Sequence, residues 1–254
     1  MNRFEDRIIL VTGAGSGIGQ ATVERLLAEG GQVLALDVSE KGLKATEERA
    51  RAAGAAERLT LITADISDEA AVKEEIGGAI AKAGRLDVLV NAAGILRSEH
   101  THKTSLDLWN TILAVNLTGT FLVTRECLPL LLASGRGVVV NFSSTSASFA
   151  HPYMAAYAAS KGGIQSFTHT IASEYAKQGL RAVAVAPGSI ASGMTETPGI
   201  PADADFSLFA KMSPAIGDGF ASPASVAGVI AMLASDDGAF VTGTELRIDG
   251  GTHM

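Results

Sequence analysis

Short β-branched or leucine-rich runs alternate along this chain with longer stretches of helical period. The apolar runs are Ile8 to Val11, Val33 to Leu36, Leu59 to Ile62, Val88 to Val90, Val138 to Phe142, Ala182 to Ala186 and Glu245 to Ile248. Most lack in/out alternation, the pattern of parallel strands covered on both faces. Between them lie amphipathic segments such as Gly17 to Ala28, Glu40 to Ala53 and Glu69 to Ala83. Strand, helix, strand repeated along the chain predicts an α/β doubly wound sheet of seven mainly parallel strands, with helices on both faces. No repeat, charge block or low-complexity linker interrupts it, so residues 1–254 read as a single domain.

One region breaks the rhythm. Five of the seven prolines (Pro187, Pro198, Pro201, Pro214 and Pro223) fall between the sixth strand and the helix beginning near Ser222. Proline and glycine at this density exclude continuous helix. Long connections after the carboxyl ends of parallel strands are where ligands bind in such sheets. The apolar Met194, Ile200, Phe206, Leu208, Phe209 and Met212 make residues at about 189–221 read as a lid over substrate; the bland alternative is a disordered surface loop.

Composition narrows the function. Apolar residues make up 47% of the chain and the net charge is −7, which argues against nucleic acid, whose phosphates need clustered Lys and Arg. Cys127 is the only cysteine, so no intrachain disulfide forms and a reducing, cytoplasmic setting is expected. The amino terminus lacks the apolar core of a secretory signal. No run of about 18 uncharged apolar residues was found, so no membrane span is expected.

The turn after the first run, TGAGSGIG at Thr12 to Gly19, carries the first chemistry. Glycines between a strand and a helix allow a tight turn and bring backbone close to a pyrophosphate at the helix amino terminus. This makes the sheet Rossmann-like and Gly13, Ser16, Gly17, Ile18 and Gly19 candidate cofactor residues. Asp37 closes the second strand, where its carboxylate can accept both adenosine ribose hydroxyls. It would repel a 2′-phosphate by about 4 kcal/mol per charge pair at ~4 Å and an effective dielectric of ~20. Neither Ser16 nor Val38 offsets that charge, so NAD(H) is expected over NADP(H); the alternative for Asp37 is a helix cap. Asp65 can face the adenine amino group, with Ile66 against the ring.

At the other end of the chemistry stands Tyr157-Ala-Ala-Ser-Lys161. Tyrosine and lysine four apart share one helix face, where the ammonium lowers the phenol toward neutral pH. Ser144, from a strand end, can hold a carbonyl oxygen beside that phenol. Hydride transfer from an alcohol carbon requires such a base, typically worth about 10²–10⁴-fold. His151 and Tyr153 border the same region; His151 reads either as a second acid/base or as a polar residue shaping the pocket. With Ser146 and Met194 they are the candidate substrate residues. His100 and His102 lack a third ligand at sensible spacing, so no metal is expected.

These residues together resemble the short-chain dehydrogenase/reductase family in its compact form of about 250 residues. The resemblance rests on TGAGSGIG, Asp65, NAAG at 91–94, Asn116, Ser144, YAASK at 157–161 and PG at 187–188. It implies that Tyr157 is the general acid/base, Lys161 holds the nicotinamide ribose, and Ser144 bonds the substrate oxygen. Asn116 would anchor a proton-relaying water; from the residues alone it reads equally as a helix kink. Asn91 would support the central strands, while Ala92 and Gly94 leave room beside the adenosine. Pro187, Gly188 and Ile190 would hold the carboxamide side. Ser192 stands where the family usually has threonine, which implies a more loosely ordered lid. The family also implies a homotetramer built on the helices Leu106 to Ala133 and Tyr157 to Gln178.

The expectation is therefore an NAD-dependent alcohol dehydrogenase or ketoreductase acting on a small secondary alcohol or ketone. A 3-oxoacyl-acyl-carrier-protein reductase is the close alternative, disfavoured by Asp37 because that activity usually goes with NADPH. A catalytically silent dinucleotide-binding regulator is the third.

Overall fold

The computed structural model describes residues 2–217 and 219–254. Strands β1 (Ile8–Thr12), β2 (Gln32–Asp37), β3 (Leu59–Thr63), β4 (Val88–Asn91), β5 (Val138–Phe142), β6 (Arg181–Pro187) and β7 (Glu245–Ile248) form one sheet. Its order is β3-β2-β1-β4-β5-β6-β7, and every pairing is parallel. The chain first builds outward from β1 to β3, then returns to lay β4 on the other side of β1. The crevice at that reversal is where a doubly wound sheet binds its ligand.

The helices are α1 (Gly17–Ala28), α2 (Glu40–Ala52), α3 (residues 69–83), α4 (Leu106–Ala133), α5 (Ala155–Tyr175), the short α6 (Gly193–Glu196) and α7 (Pro223–Ala234). Successive strand residues serve opposite faces. Ile9 and Val11 of β1 join Val23, Leu26 and Ile230 of α1 and α7 in one core. Leu10 between them joins Ile76, Val123 and Leu131 of α3 and α4 in the other. Both faces are dry, so the strands show no polar alternation.

Two helices are less regular than their sequence period. Helix α3 has a π turn at Val72–Ile76, and α4 has one at Ala114–Thr118. Helix α4 is long and apolar, with a mean hydropathy of 1.3 over an 18-residue window, enough by length and composition alone to cross a membrane. Its polar side chains instead join it to the sheet. Thr124 accepts a bond from Asn91 of β4 at 3.0 Å, and Asn91 also donates to Asn141 of β5 at 2.8 Å.

Residues 189–221, expected to be a lid, hold α6 and a 3₁₀ stretch, Phe206–Met212. The lid is tied down at several points. The Ser98 N–H donates to Pro198 O at 2.8 Å, and Asp203 accepts from His100 at 2.8 Å and pairs with Lys103 at 3.2 Å.

Candidate active site

The carboxyl ends of β1, β2, β4, β5 and β6 open onto one cavity of about 690 Å³. Its first wall is the glycine turn. Gly13 has φ +69°, and a Cβ there would lie 2.8 Å from the Ala93 backbone, so only glycine lets this turn close on the strand beside it. Ser16 stands at the N-cap of α1 in extended conformation, but its side chain makes no capping bond, and the first turn holds no acidic residue. The first N–H groups of a helix lack intrahelical partners, so this end offers donors and positive potential to an anion. Gly17, Ile18 and Gly19 complete that wall.

Asp37 stands at the far side. Its Oδ2 accepts the Gly15 N–H at 2.9 Å and its Oδ1 accepts the Ser39 N–H at 2.9 Å. The helix-cap alternative is resolved by Ser39, whose own hydroxyl caps α2 by accepting from Gly42 N at 3.1 Å. Asp37 is thereby fixed in orientation and still faces the cavity. Asp65 accepts from Ser67 N–H and hydroxyl through Oδ1 alone, at 2.8 and 2.7 Å. Ile66 lines the cavity and packs against Gly119 of α4. Ala92, Gly94, Pro187, Gly188, Ile190 and Ser192 line the remainder.

At the other end the catalytic candidates converge. Ser144 caps a 3₁₀ turn, its hydroxyl accepting Ser146 N–H at 3.1 Å, and the same side chain acts on the Tyr157 phenol. Lys161 is 4% exposed and its Nζ donates to Phe142 O at 2.7 Å, lying 5.6 Å from the Tyr157 ring centroid. Burial lowers the Lys161 ammonium to about 8. The Tyr157 phenol moves the opposite way to the expectation. Desolvation pushes it above the ordinary tyrosine value, with the Ser144 bond opposing. The lysine does not bring the phenol down here; its Nζ is turned to the Phe142 carbonyl, and burial of the phenol dominates.

Asn116 sits inside the π turn of α4, fully buried. Its amide clasps Ile95 from both sides, accepting from the N–H at 2.7 Å and donating to the carbonyl at 3.0 Å, and it reaches Ser160 Oγ at 3.0 Å. It stands behind the cavity wall, as does Asn91. The extra residue of a π turn commonly marks a functional site; here it turns a polar side chain toward the loop after β4.

The candidate substrate residues divide. His151 and Met194 line the cavity. Ser146 and Tyr153 are corrected to supporting positions outside its wall. Ser146 contributes its backbone N–H to Ser144, and its own hydroxyl is enclosed. Tyr153, at φ +66°, turns its hydroxyl to accept Asp205 N–H from the lid at 2.8 Å. Ser192 is bonded to Thr195, a partner the sequence did not single out. Thr195 donates to Ile190 O at 3.0 Å and accepts Ser192 N–H at 3.0 Å. Thr145, Thr252 and His253 also line the cavity and were missed. Only Thr145 had a signal, its place beside Ser144; the other two lie about 60 residues beyond the last of the site's motifs.

Comparison with known proteins agrees with this architecture. Residues 13–253 match the family model described as enoyl-(acyl carrier protein) reductase. The chain is 37% identical over 249 residues to the 3-oxoacyl-(acyl-carrier-protein) reductase FabG of Thermotoga maritima, covering 98% of both. It is also 37% identical over 257 residues to levodione reductase of Leifsonia aquatica, covering 98% of this chain and 95% of that one. A crystal structure of levodione reductase superposes with a TM-score of 0.88 at 34% identity, over 98% of each chain. With its all-parallel seven-stranded sheet and these relatives, the chain belongs to the short-chain dehydrogenase/reductase family of oxidoreductases, in its compact form.

Proposed function

We propose that this protein is an NAD-dependent dehydrogenase/reductase that interconverts a secondary alcohol and its ketone. The observation that carries the reading is one cavity bounded by a free helix amino terminus, a fixed carboxylate and the Ser144–Tyr157–Lys161 cluster. The open α1 terminus would hold the pyrophosphate, Asp37 the adenosine ribose, and Lys161 the nicotinamide ribose. When bound, the dinucleotide supplies the hydride acceptor and, in its oxidised form, a positive charge beside Tyr157.

The chain's own residues do the rest. Ser144 fixes the carbinol oxygen next to the phenol. Tyr157 takes the hydroxyl proton in oxidation and returns it in reduction. Lys161, lowered to about 8 by burial and so still mostly charged at neutral pH, would favour the phenolate together with the charge of the oxidised ring. Asn116 holds the Ile95 backbone and Ser160 in place and is a positioning residue for the proton path. The lid residues Met194, Ile200 and Phe209 exclude water from the carbinol carbon.

A second reading, a 3-oxoacyl-acyl-carrier-protein reductase, draws on the Thermotoga maritima relative. The Asp37 carboxylate favours the first, since it would face a 2′-phosphate. Comparing alcohol oxidation with NAD and with NADP separates the two. Tyr157→Phe should lose about 10²–10⁴-fold in kcat while NADH binding, read by fluorescence titration, persists; near-normal turnover would sink the assignment. A cytoplasmic homotetramer completes the proposal. Leu106 and Phe121 of α4 stand exposed at 71% and 42%, and light scattering would return a single-chain mass if the assembly were wrong.

A further inference from the structure

Among the polar side chains that line the cavity, two groups stand apart from the dinucleotide loops. One is the reaction corner, Ser144 and Tyr157. The other is a histidine corner, where His151 and His253 meet with their ring centroids 5.8 Å apart.

This corner is assembled from two distant parts of the chain. His151 lies on the loop before α5, and its Nε2 shares a hydrogen bond with Thr145 Oγ1 at 3.2 Å. That bond leaves Nδ1 without a protein partner among the described residues. His253 follows β7. Its ring stacks flat on Phe149, with centroids 4.1 Å apart and planes 4° from parallel. The Arg247 guanidinium lies 5.3 Å from the Phe149 centroid and donates to the His253 carbonyl at 2.7 Å. A cation, an aromatic ring and a histidine thus hold residues 252–253 against the substrate space. The His253 Nε2 is enclosed and has no partner among the described residues. An enclosed ring nitrogen without a partner is costly unless something bonds it.

We infer that the pocket takes an alcohol or ketone carrying a second, uncharged oxygen, a diol, hydroxyketone or diketone, whose second oxygen bonds at the His151–His253 corner. This rests on the dehydrogenase reading above and names its substrate class.

Charge selects the uncharged group. Lys161 is the one lysine or arginine in the described cavity wall, and it sits at the reaction corner. Desolvation and the neighbouring His253 hold His151 down at about 4, so at neutral pH it is an uncharged donor or acceptor. Arg247 stands outside the cavity wall and is engaged with Phe149 and the His253 carbonyl, so a carboxylate, sulfonate or phosphate at this corner would be desolvated without a counter-charge in the wall, which is unfavourable. A hydroxyl or carbonyl oxygen meets both requirements.

The test uses rigid rings that set the distance between oxygens. Wild-type protein is assayed with NAD on cyclohexanol, on the 1,2-, 1,3- and 1,4-cyclohexanediols, and on 4-hydroxycyclohexanecarboxylate. The expected result is one diol exceeding cyclohexanol about tenfold in kcat/KM, equivalent to about 1.4 kcal/mol, with the carboxylate below that diol. His151→Phe should collapse the diol-to-cyclohexanol ratio toward one. His151→Gln, which keeps a hydrogen-bonding amide, should retain part of it. His253→Phe, which keeps a ring to stack on Phe149, should lower it. Melting temperature and NADH titration establish that each variant is folded. A ratio near one in wild type, or one unchanged in both phenylalanine variants, overturns the subsite. Thermal shifts of the NADH complex by the same ligands separate the two readings. A diol-selective, His151-dependent shift without turnover of any alcohol supports the subsite and refutes the redox assignment. Turnover with no diol preference in rate or shift does the reverse.

Discussion

Protonating His151 within the fold is harder than protonating it in the unfolded chain. Its value falls from an ordinary 6.5 to about 4, chiefly through desolvation, with His253 adding to it. Between those two values the unfolded chain binds a proton that the fold does not, so stability falls as pH drops from about 6.5 toward 4. Below about 4 both states are protonated and this contribution is gone. His151→Gln has nothing to protonate, so its melting temperature should decline less than wild type over that window, measured by circular dichroism at pH 7, 5.5 and 4. Equal declines would show that His151 is not the residue responsible. At this scale the catalytic side chains were legible because their chemistry is tied to local spacing. Tyr157 and Lys161 are one helical turn apart, and Ser144 ends a strand. His253 was not legible, since nothing in a sequence indicates that a residue after the last strand folds back onto a loop a hundred positions earlier. The direction of the Tyr157 shift was also misread, because a spacing shows the nearby charge and hides the desolvation opposing it.

Elements set how the lid behaves. Residues 189–221 are latched by side chains from the loops after β4 and before α5: His100 and Lys103 hold Asp203, and the Tyr153 hydroxyl holds Asp205 N–H. Asp203 is exposed, and its bonds to His100 and Lys103 hold its carboxyl down at about 2, so this carboxylate keeps its charge across the working range. Exposed pairs of this kind are weak, because water and salt screen them. Asp203→Asn should therefore raise KM for the alcohol by roughly two- to fivefold, with kcat nearly unchanged, in steady-state kinetics at saturating NAD. An equal loss in kcat would mean that the lid contributes to the chemical step as well as to closure. Strand and helix positions came through from periodicity to within a residue or two, since β1 through β7 are short apolar runs bounded by glycine or polar turns. The π turns at Val72–Ile76 and Ala114–Thr118 did not. An inserted residue shifts the hydrophobic phase by about 100°, but α4 is apolar around much of its circumference, which hides the shift, and Asn116 therefore reads equally as a kink or a functional group. The π turn is what aims its amide at Ile95.

At the scale of the whole molecule, the cavity bridges the two halves of the sheet, with α1 and Asp37 on one side of the β1–β4 crevice and Ser144, Tyr157 and Lys161 on the other. A ligand spanning that crevice binds only the folded chain and stabilises it by mass action. At 100 times its Kd the gain is about 2.7 kcal/mol, which for a chain of this length raises Tm by about 5–10 °C. NADH should produce that shift, and NADPH at the same concentration should produce a much smaller one, because its 2′-phosphate meets a carboxylate already fixed by two backbone N–H groups. Asp37 cannot swing away without giving up the bond that holds the glycine turn, so on the proposed NAD reading the discrimination would rest on the contact that also shapes that turn. In Asp37→Ala the repulsion is gone together with the ribose contact. The NADH shift should shrink, the NADPH shift should grow, and the two should converge in differential scanning calorimetry. If the wild-type protein is stabilised equally by both dinucleotides, Asp37 is not the selector and the assignment of NAD fails with it.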